Sequence, residues 1–166
     1  MNFKTLLAAA AVSVVTMVAS VASAATLVEL DSSDAGTGPF GLTDFSYQFQ
    51  DVFDNGEAGT TLSFEFLNDS ATDTVVTISS ATILQNGTIA FFTGGASAEW
   101  TGAGVVATAT QGVSSGGSLN FLLGAGASDT LNLTFGTVVA NNGVRPDIDF
   151  FVTTQPVPVP AGILLM

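Results

Sequence analysis

Apolar and polar residues alternate with a period of two along most of the chain between residues 25 and 154. The clearest run is residues 60–67, in which the apolar side chains are Leu62, Phe64 and Phe66 and the polar ones include Ser63 and Glu65. Successive side chains of a β-strand point to opposite faces of the sheet. This run therefore predicts a strand with one dry and one wet side.

Similar short runs recur, with turn residues between them. We predict further strands at residues 25–30, 45–49, 74–84, 89–93, 105–110, 119–123, 131–135 and 148–152. Turns are predicted at residues 54–57, 68–73, 85–88, 112–117 and 141–143. Residues 74–84 are long enough to bend or to carry a bulge at Ser79-Ser80. Asn86-Gly87 predicts a tight hairpin that returns through residues 89–93. Residues 94–104 are predicted as a loop, apart from Trp100, which should plug one end of the core.

The pattern predicts an all-β fold, since no amphipathic stretch with a helical period occurs outside the first 24 residues. We expect an antiparallel β-sandwich of about eight or nine strands, Ig-like or jelly-roll-like, over residues 25–154. An open barrel is the alternative architecture.

The first 24 residues have the pattern of a secretory signal peptide, which we expect to be helical. Lys4 supplies a positive charge, residues 6–21 are largely apolar, and Ala22-Ser23-Ala24 matches an A-x-A cleavage site. Cleavage before Ala25 is predicted, with Ala22 and Ala24 as the recognised residues and the secretion machinery as a partner. A membrane anchor is the competing interpretation.

Three prolines alternate with valine near the C-terminus, and an apolar run follows. Proline fixes φ and has no backbone N–H, so Pro156, Pro158 and Pro160 predict an extended spacer and not a helix interior or a central strand. We assign residues 155–166 to this spacer and to the start of a truncated C-terminal sorting or anchor helix.

Val157, Pro158, Val159, Pro160 and Ala161, followed by Gly-Ile-Leu-Leu, resemble the VPLPA type of C-terminal sorting signal. That type is related to the PEP-CTERM signals of Gram-negative envelope proteins, and Val159 stands where the family usually has Leu. Such signals combine a Pro motif, a transmembrane helix and an Arg-rich tail. They are regarded as substrates of exosortase-type membrane peptidases, often in bacteria that make exopolysaccharide. The resemblance implies an exported protein of the cell envelope or the extracellular space, with a membrane sorting peptidase as partner.

The charge balance is strongly acidic. Two basic residues face 14 acidic ones, which gives a net charge of −12. Such a surface repels nucleic acid and anionic lipid, so we predict neither as a partner. The chain has no cysteine, and so no disulfide, so the hydrophobic core must supply the stability of the fold.

The residues needed for common catalytic mechanisms are missing. Without His or Cys, a serine has no usual base, and zinc has no preferred ligands. We therefore predict that the protein is not an enzyme and has no cofactor, with calcium as the possible exception. Asp51, Asp54 and Asn55 gather oxygen atoms at a turn, which is the ligand type that calcium prefers. Arg145 is expected to pair with Asp147 or Asp149, or to lie alone on a turn.

The leading functional hypothesis is a structural or adhesive protein of the envelope or matrix, in contact with exopolysaccharide. The alternative is a carbohydrate- or calcium-binding module, in which Trp100, Tyr47 and one of Phe91 and Phe92 stack on sugar rings if they are exposed. A third hypothesis is self-association through exposed sheet edges.

Overall fold

The computed structural model describes residues 24–157, and this part of the chain is all-β. Its twelve strands are β1 (Thr26–Leu30), β2 (Phe40–Gly41), β3 (Phe45–Val52), β4 (Thr60–Leu67), β5 (Thr74–Leu84), β6 (Ala90–Phe92), β7 (Ala96–Trp100), β8 (Gly104–Ala109), β9 (Ser115–Leu123), β10 (Ser128–Phe135), β11 (Val138–Ala140) and β12 (Asp147–Pro156). A short 3-10 helix, Ser32–Asp34, follows β1. The predicted signal-peptide helix, Ala22 and residues 158–161 of the sorting motif lie outside the described residues. Within residues 24–157, no helix has the length and apolar character needed to cross a membrane.

Two five-stranded sheets form the sandwich. Sheet 1 has the order β1-β3-β12-β5-β9, and sheet 2 has the order β2-β4-β10-β7-β8; β6 and β11 form a small separate ribbon. Eight strands pair antiparallel, as predicted, and we call them the main strands: β3, β4, β5, β7, β8, β9, β10 and β12. The edge strands β1 and β2 instead pair parallel to β3 and β4, so both sheets are mixed. Of the connections among the main strands, only β7–β8 stays within one sheet.

Aromatic rings from both sheets meet in a single core. The ring of Phe49 in sheet 1 stacks on Phe150 at 5.1 Å and meets Phe64 of sheet 2 edge-on at 5.2 Å. Trp100 is fully buried and packs between Phe66 and Phe121, with centroid distances of 5.2 and 4.9 Å. Burying such large rings supplies most of the stabilising free energy in a domain without disulfides.

Strand β4 matches the predicted pattern. Phe64 and Phe66 are fully buried, Leu62 is half-buried against the core, and Glu65 is exposed. In β3, Tyr47 and Phe49 are buried as expected, but Phe45 is 40% exposed because it lies at the end of the strand.

Residues 94–104 are not a loop as predicted, because they contain β7. Ala96, Ala98 and Trp100 face the core, and Glu99 faces solvent. Alanine contributes little hydrophobic contrast, so the alternation was hard to see in the sequence. The predicted turn at residues 112–117 is also too long, since β9 begins at Ser115.

The Asn86-Gly87 turn is present, but its returning strand does not pair as a simple hairpin. Asn86 bridges Ala90, and β6 then leaves β5 and pairs with β11. The bulge in β5 is confirmed. Its register shifts by one residue against both β9 and β12 near residues 79–80.

The two sides of the sandwich are closed in different ways. On one side, β8 and β9 approach so closely that a Cβ on Gly117 would lie 1.8 Å from the carbonyl oxygen of Val106. On the other side, β1 and β2 lie along the edges of β3 and β4 and cover them.

β12 continues through Gln155 and Pro156, the first two residues of the predicted spacer, and Pro156 lies beyond the part that pairs with β3.

A buried asparagine fixes the loops at one end. Asn68 is 1% exposed, and its Nδ2 lies 2.9–3.0 Å from the carbonyl oxygens of Thr72, Leu123 and Gly124. Its Oδ1 accepts from the hydroxyl of Ser70. One side chain therefore ties the β4–β5 loop to the end of β9.

We expect Asn68→Ala to lower the free energy of unfolding by about 2–4 kcal/mol, because buried carbonyl groups lose their donor. Urea denaturation of the purified domain measures this. Asn120→Ala, at an exposed position of β9, is the control and should change stability by less than about 0.5 kcal/mol. Equal effects of the two substitutions would contradict the role of Asn68.

We expect Gly117→Ala to cost about 2–3 kcal/mol, because the new methyl group forces β8 and β9 apart. The control is Gly116→Ala in the same strand, where the nearest atom would lie 3.2 Å away. Thermal unfolding of both variants should give a clearly lower midpoint for Gly117→Ala alone. A Gly117→Ala protein as stable as the native one would show that the two strands are not in close contact.

Candidate functional site

A row of four hydroxyl side chains crosses the outer face of sheet 2. Thr61, Thr134, Ser97 and Thr108 lie opposite one another on β4, β10, β7 and β8. The neighbours of Thr134, Ser97 and Thr108 along their strands are buried, and Leu62 next to Thr61 packs against the core. The alternation therefore places all four on the solvent side. The Oγ1 atoms of Thr61 and Thr134 are 2.9 Å apart, and Ser97 is half-buried while the three threonines are exposed. We call these four residues the hydroxyl row.

The hydroxyl row leads into a surface groove of about 360 Å³ at one end of sheet 2. The ten lining residues are all uncharged: Thr93, Gly94, Gly95, Ala96, Ser97, Thr108, Ala109, Thr134, Phe135 and Gly136. The ring of Phe135 turns away from the groove into the core, where it packs against Phe53 at 4.6 Å. The groove thus offers hydroxyl groups and main chain. We call it the hydroxyl groove.

Glycine is required where main chains meet beside the groove. A Cβ on Gly95 would lie 2.2 Å from the carbonyl oxygen of Ala109, and one on Gly136 would lie 1.7 Å from that of Thr93. Gly95 also has a φ of 95°, which side chains rarely adopt. Gly94 lies in the turn between β6 and β7, and Gln111 accepts a 3.0 Å hydrogen bond from its amide.

A second polar row lies next to the first. Ser63 donates to Asn132 at 2.7 Å, and Asn132 donates to the hydroxyl of Thr101 at 3.1 Å. Glu99 lies opposite Asn132 on β7. The outer face of sheet 2 therefore carries two adjacent rows of hydrogen-bonding side chains. Glu99 and the exposed Val105 opposite it on β8 lie outside the hydroxyl groove.

The three residues of the calcium prediction each have a separate protein partner. Asp51 accepts from the amide of Ser32 at 3.2 Å, and Asn55 accepts from the amide of Ala140 at 2.9 Å. Asp54 binds the guanidinium of Arg145 at 2.8 Å. Among residues 24–157, no three acidic side chains are grouped so that they could hold one metal ion. Calcium binding stays a prediction without a formed site in this structure.

The expected pairing of Arg145 with Asp147 or Asp149 is wrong. The Pro146–Asp147 segment leads into β12, while the Arg145 side chain reaches the β3–β4 loop and binds Asp54. Both side chains are more than half exposed, so this ion pair contributes at most about 1 kcal/mol.

The aromatic residues considered for sugar stacking are mostly unavailable. Trp100 is 0% exposed, Tyr47 is 4% exposed, and Phe92 is 0% exposed. Phe91 is half-buried on the β6–β11 ribbon. The condition that these rings be exposed is therefore not met for Trp100 and Tyr47. The prediction that Trp100 plugs the core is confirmed.

Two half-buried carboxylates lie next to each other on the outer face of sheet 1. Asp147 and Asp149 are two residues apart on β12, and the Oδ1 atom of each is buried without a hydrogen-bond partner among the described residues. Burial, followed by the negative charges of Asp149 and Asp51, raises the pKa of Asp147 to about 6. Burial also raises the pKa of Asp149. This pair is a source of electrostatic strain in the central strand of sheet 1.

Sequence reasoning missed both the hydroxyl row and the hydroxyl groove. The polar positions of β4 and β10 were visible as alternation, but their alignment depends on strand register and on recognising β7. The sequence signal that could have indicated them is the repetition of Thr and Ser at the outward-facing positions of these strands.

Comparison of the chain with protein-family models, with curated proteins and with solved structures finds no match.

We expect the folded state to lose stability as the pH rises from about 4 to 6, because Asp147 must give up its proton between its ordinary pKa of 3.8 and the raised pKa of about 6. The penalty is absent below this range and complete above it. Screening of a half-exposed group limits it to about 1 kcal/mol. Asp147→Asn should make the decline clearly smaller, with the part due to Asp149 remaining, as followed by urea denaturation at a series of pH values.

The control for this substitution is Glu65→Gln, which removes an exposed carboxylate from sheet 2 and should leave the decline in place. A decline of the same size in the Asp147→Asn protein would rule out Asp147 as its cause.

Proposed function

We propose that this protein is an exported structural or adhesive β-sandwich of the cell envelope or extracellular matrix of a Gram-negative bacterium. In this proposal, the secretion machinery removes residues 1–24, and a membrane sorting peptidase recognises the motif that begins at Val157. The proposal assigns no reaction to the protein and no nucleic-acid partner. Its role is to be held at the surface and to contact the surrounding matrix.

The observation that carries this proposal is the position of the two ends of the described part of the chain. Ala24 and Ala25 are exposed and directly precede β1, and Val157 is exposed directly after β12. Thr26 pairs with Phe45 at the start of β3, and Val152 of the antiparallel β12 pairs with Tyr47, so both ends leave from the same end of sheet 1. Cleavage or anchoring there would leave both sheets intact.

We also propose that the sandwich is a jelly roll and not Ig-like. Numbered 1 to 8 along the chain, the eight main strands have the order 1-8-3-6 in sheet 1 and 2-7-4-5 in sheet 2. Alternation between the sheets at every connection but one is the pattern of two interlocked Greek keys.

A carbohydrate-binding module is the second candidate function. The hydroxyl row and the hydroxyl groove favour it, because aligned hydroxyl groups can exchange hydrogen bonds with a sugar. The two functions are compatible, since a matrix protein can be retained through a polysaccharide.

Export is tested by inserting an epitope tag in the exposed turn at residues 141–143, so that both ends stay free. Produced in a Gram-negative host, the full chain should appear in the envelope or medium with Ala25 as its first residue, as read by mass spectrometry. Ala24→Leu should block cleavage and hold the precursor at the inner membrane, because the cleavage site needs small residues. Ala25→Ser is the matched control and should be processed normally.

Two outcomes would contradict the proposal. The first is that the native protein stays in the cytoplasm with residues 1–24 attached. The second is that the Ala24→Leu variant is cleaved as efficiently as the Ala25→Ser variant.

A further inference from the structure

We propose that the hydroxyl groove, together with the hydroxyl row, binds a segment of an uncharged polysaccharide. This inference rests on the proposed function as a matrix protein and adds to it the site and the chemical class of the ligand. The proposed binding surface consists of the Ser and Thr side chains of sheet 2, and not of the aromatic residues, which are buried.

The charge distribution selects an uncharged ligand. The chain carries 14 acidic residues, yet all ten residues that line the hydroxyl groove are uncharged. The surrounding negative charge repels a polyanion, and the groove supplies no carboxylate to attract a polycation. By contrast, a groove of similar size on sheet 1, about 350 Å³, includes Glu29 and Asp31 in its lining.

The hydroxyl groups fit the hydrogen-bonding character of a sugar. Each Ser or Thr hydroxyl can donate one hydrogen bond and accept two, as each sugar hydroxyl can. Neighbouring strands are about 4.8 Å apart, so the row presents hydroxyl groups at intervals comparable with the length of one sugar unit. Ser97, Thr108 and Thr134 belong to both the row and the groove lining, so a polymer could continue from one to the other.

The groove lies at the end of the sandwich that is farthest from the chain ends. β3 starts at Phe45, near both chain ends, and finishes at Val52; the loop after it leads to Thr60, the first residue of β4. Thr60 pairs with Phe135, which belongs to the groove lining. A protein held through its C-terminus would therefore present the hydroxyl groove away from the membrane.

Affinity electrophoresis in native gels containing dextran, hydroxyethyl cellulose or galactomannan tests the proposal, with alginate as the anionic comparison. We expect at least one neutral polymer to slow the protein, with weak binding on the order of 1 mM, because no ring stacks on the sugar. The double substitution Thr108→Val and Thr134→Val should weaken this retardation at least fivefold. Valine keeps the shape and strand preference of threonine, so the fold is retained.

The matched control is Thr26→Val, which removes an exposed hydroxyl from β1 of sheet 1 and should leave retardation unchanged. Thermal unfolding of each variant checks that it is folded. The proposal is overturned if no neutral polymer slows the native protein, if the double variant is slowed equally, or if alginate has the same effect as the neutral polymers. If the protein reaches the envelope but no neutral polymer slows it in the gel, only the proposed polysaccharide site is refuted. If a neutral polymer slows the protein but it stays in the cytoplasm, only the proposed export is refuted.

Discussion

The contact between aromatic rings from the two sheets is the interaction on which the rest of this structure depends. The stacked rings of Phe49 and Phe150 from sheet 1 both meet the ring of Phe64 from sheet 2 edge-on. A chain without cysteine has no disulfide to replace these contacts. The outer face of sheet 2 carries Thr, Ser and Asn side chains together with Glu65, Glu99 and the exposed Val105. A ligand in the hydroxyl groove would be bound by hydrogen bonds and main chain.

Much of the fold could be predicted because, in a protein of two packed sheets, the alternation of apolar and polar residues along a strand shows which side chains are buried. β4 begins and ends at the predicted residues, and the bulge of β5 falls where two serines interrupt its apolar run. Prediction failed where side-chain contrast was low or where pairing is non-local. β7 was missed because alanine marks its inner face, and the partner of β6 lies nearly fifty residues away in β11. The parallel edge strands β1 and β2 also depend on tertiary placement, which no local pattern encodes.

The candidate site was less predictable than the fold for the same reason. Acidic residues close together in sequence suggested a calcium site, but the fold directs Asp51, Asp54 and Asn55 to three different partners. The hydroxyl row unites residues from four strands that are distant in sequence, and it exists only in the observed register. Outward Thr and Ser are ordinary on a sheet surface; their alignment beside an uncharged groove in an acidic protein is the property that three-dimensional structure adds.

The final strand of the domain, β12, occupies the middle of sheet 1, between β3 and β5. Neither neighbour can complete its hydrogen bonding until residues near 150 are available, although both belong to the first half of the chain. During synthesis from the N-terminus, the middle of sheet 1 can therefore form only after the residues of β12 have been made. β3 and β5 are not neighbours in the folded sheet, so neither can acquire its native pairing with β12 while the chain is still short.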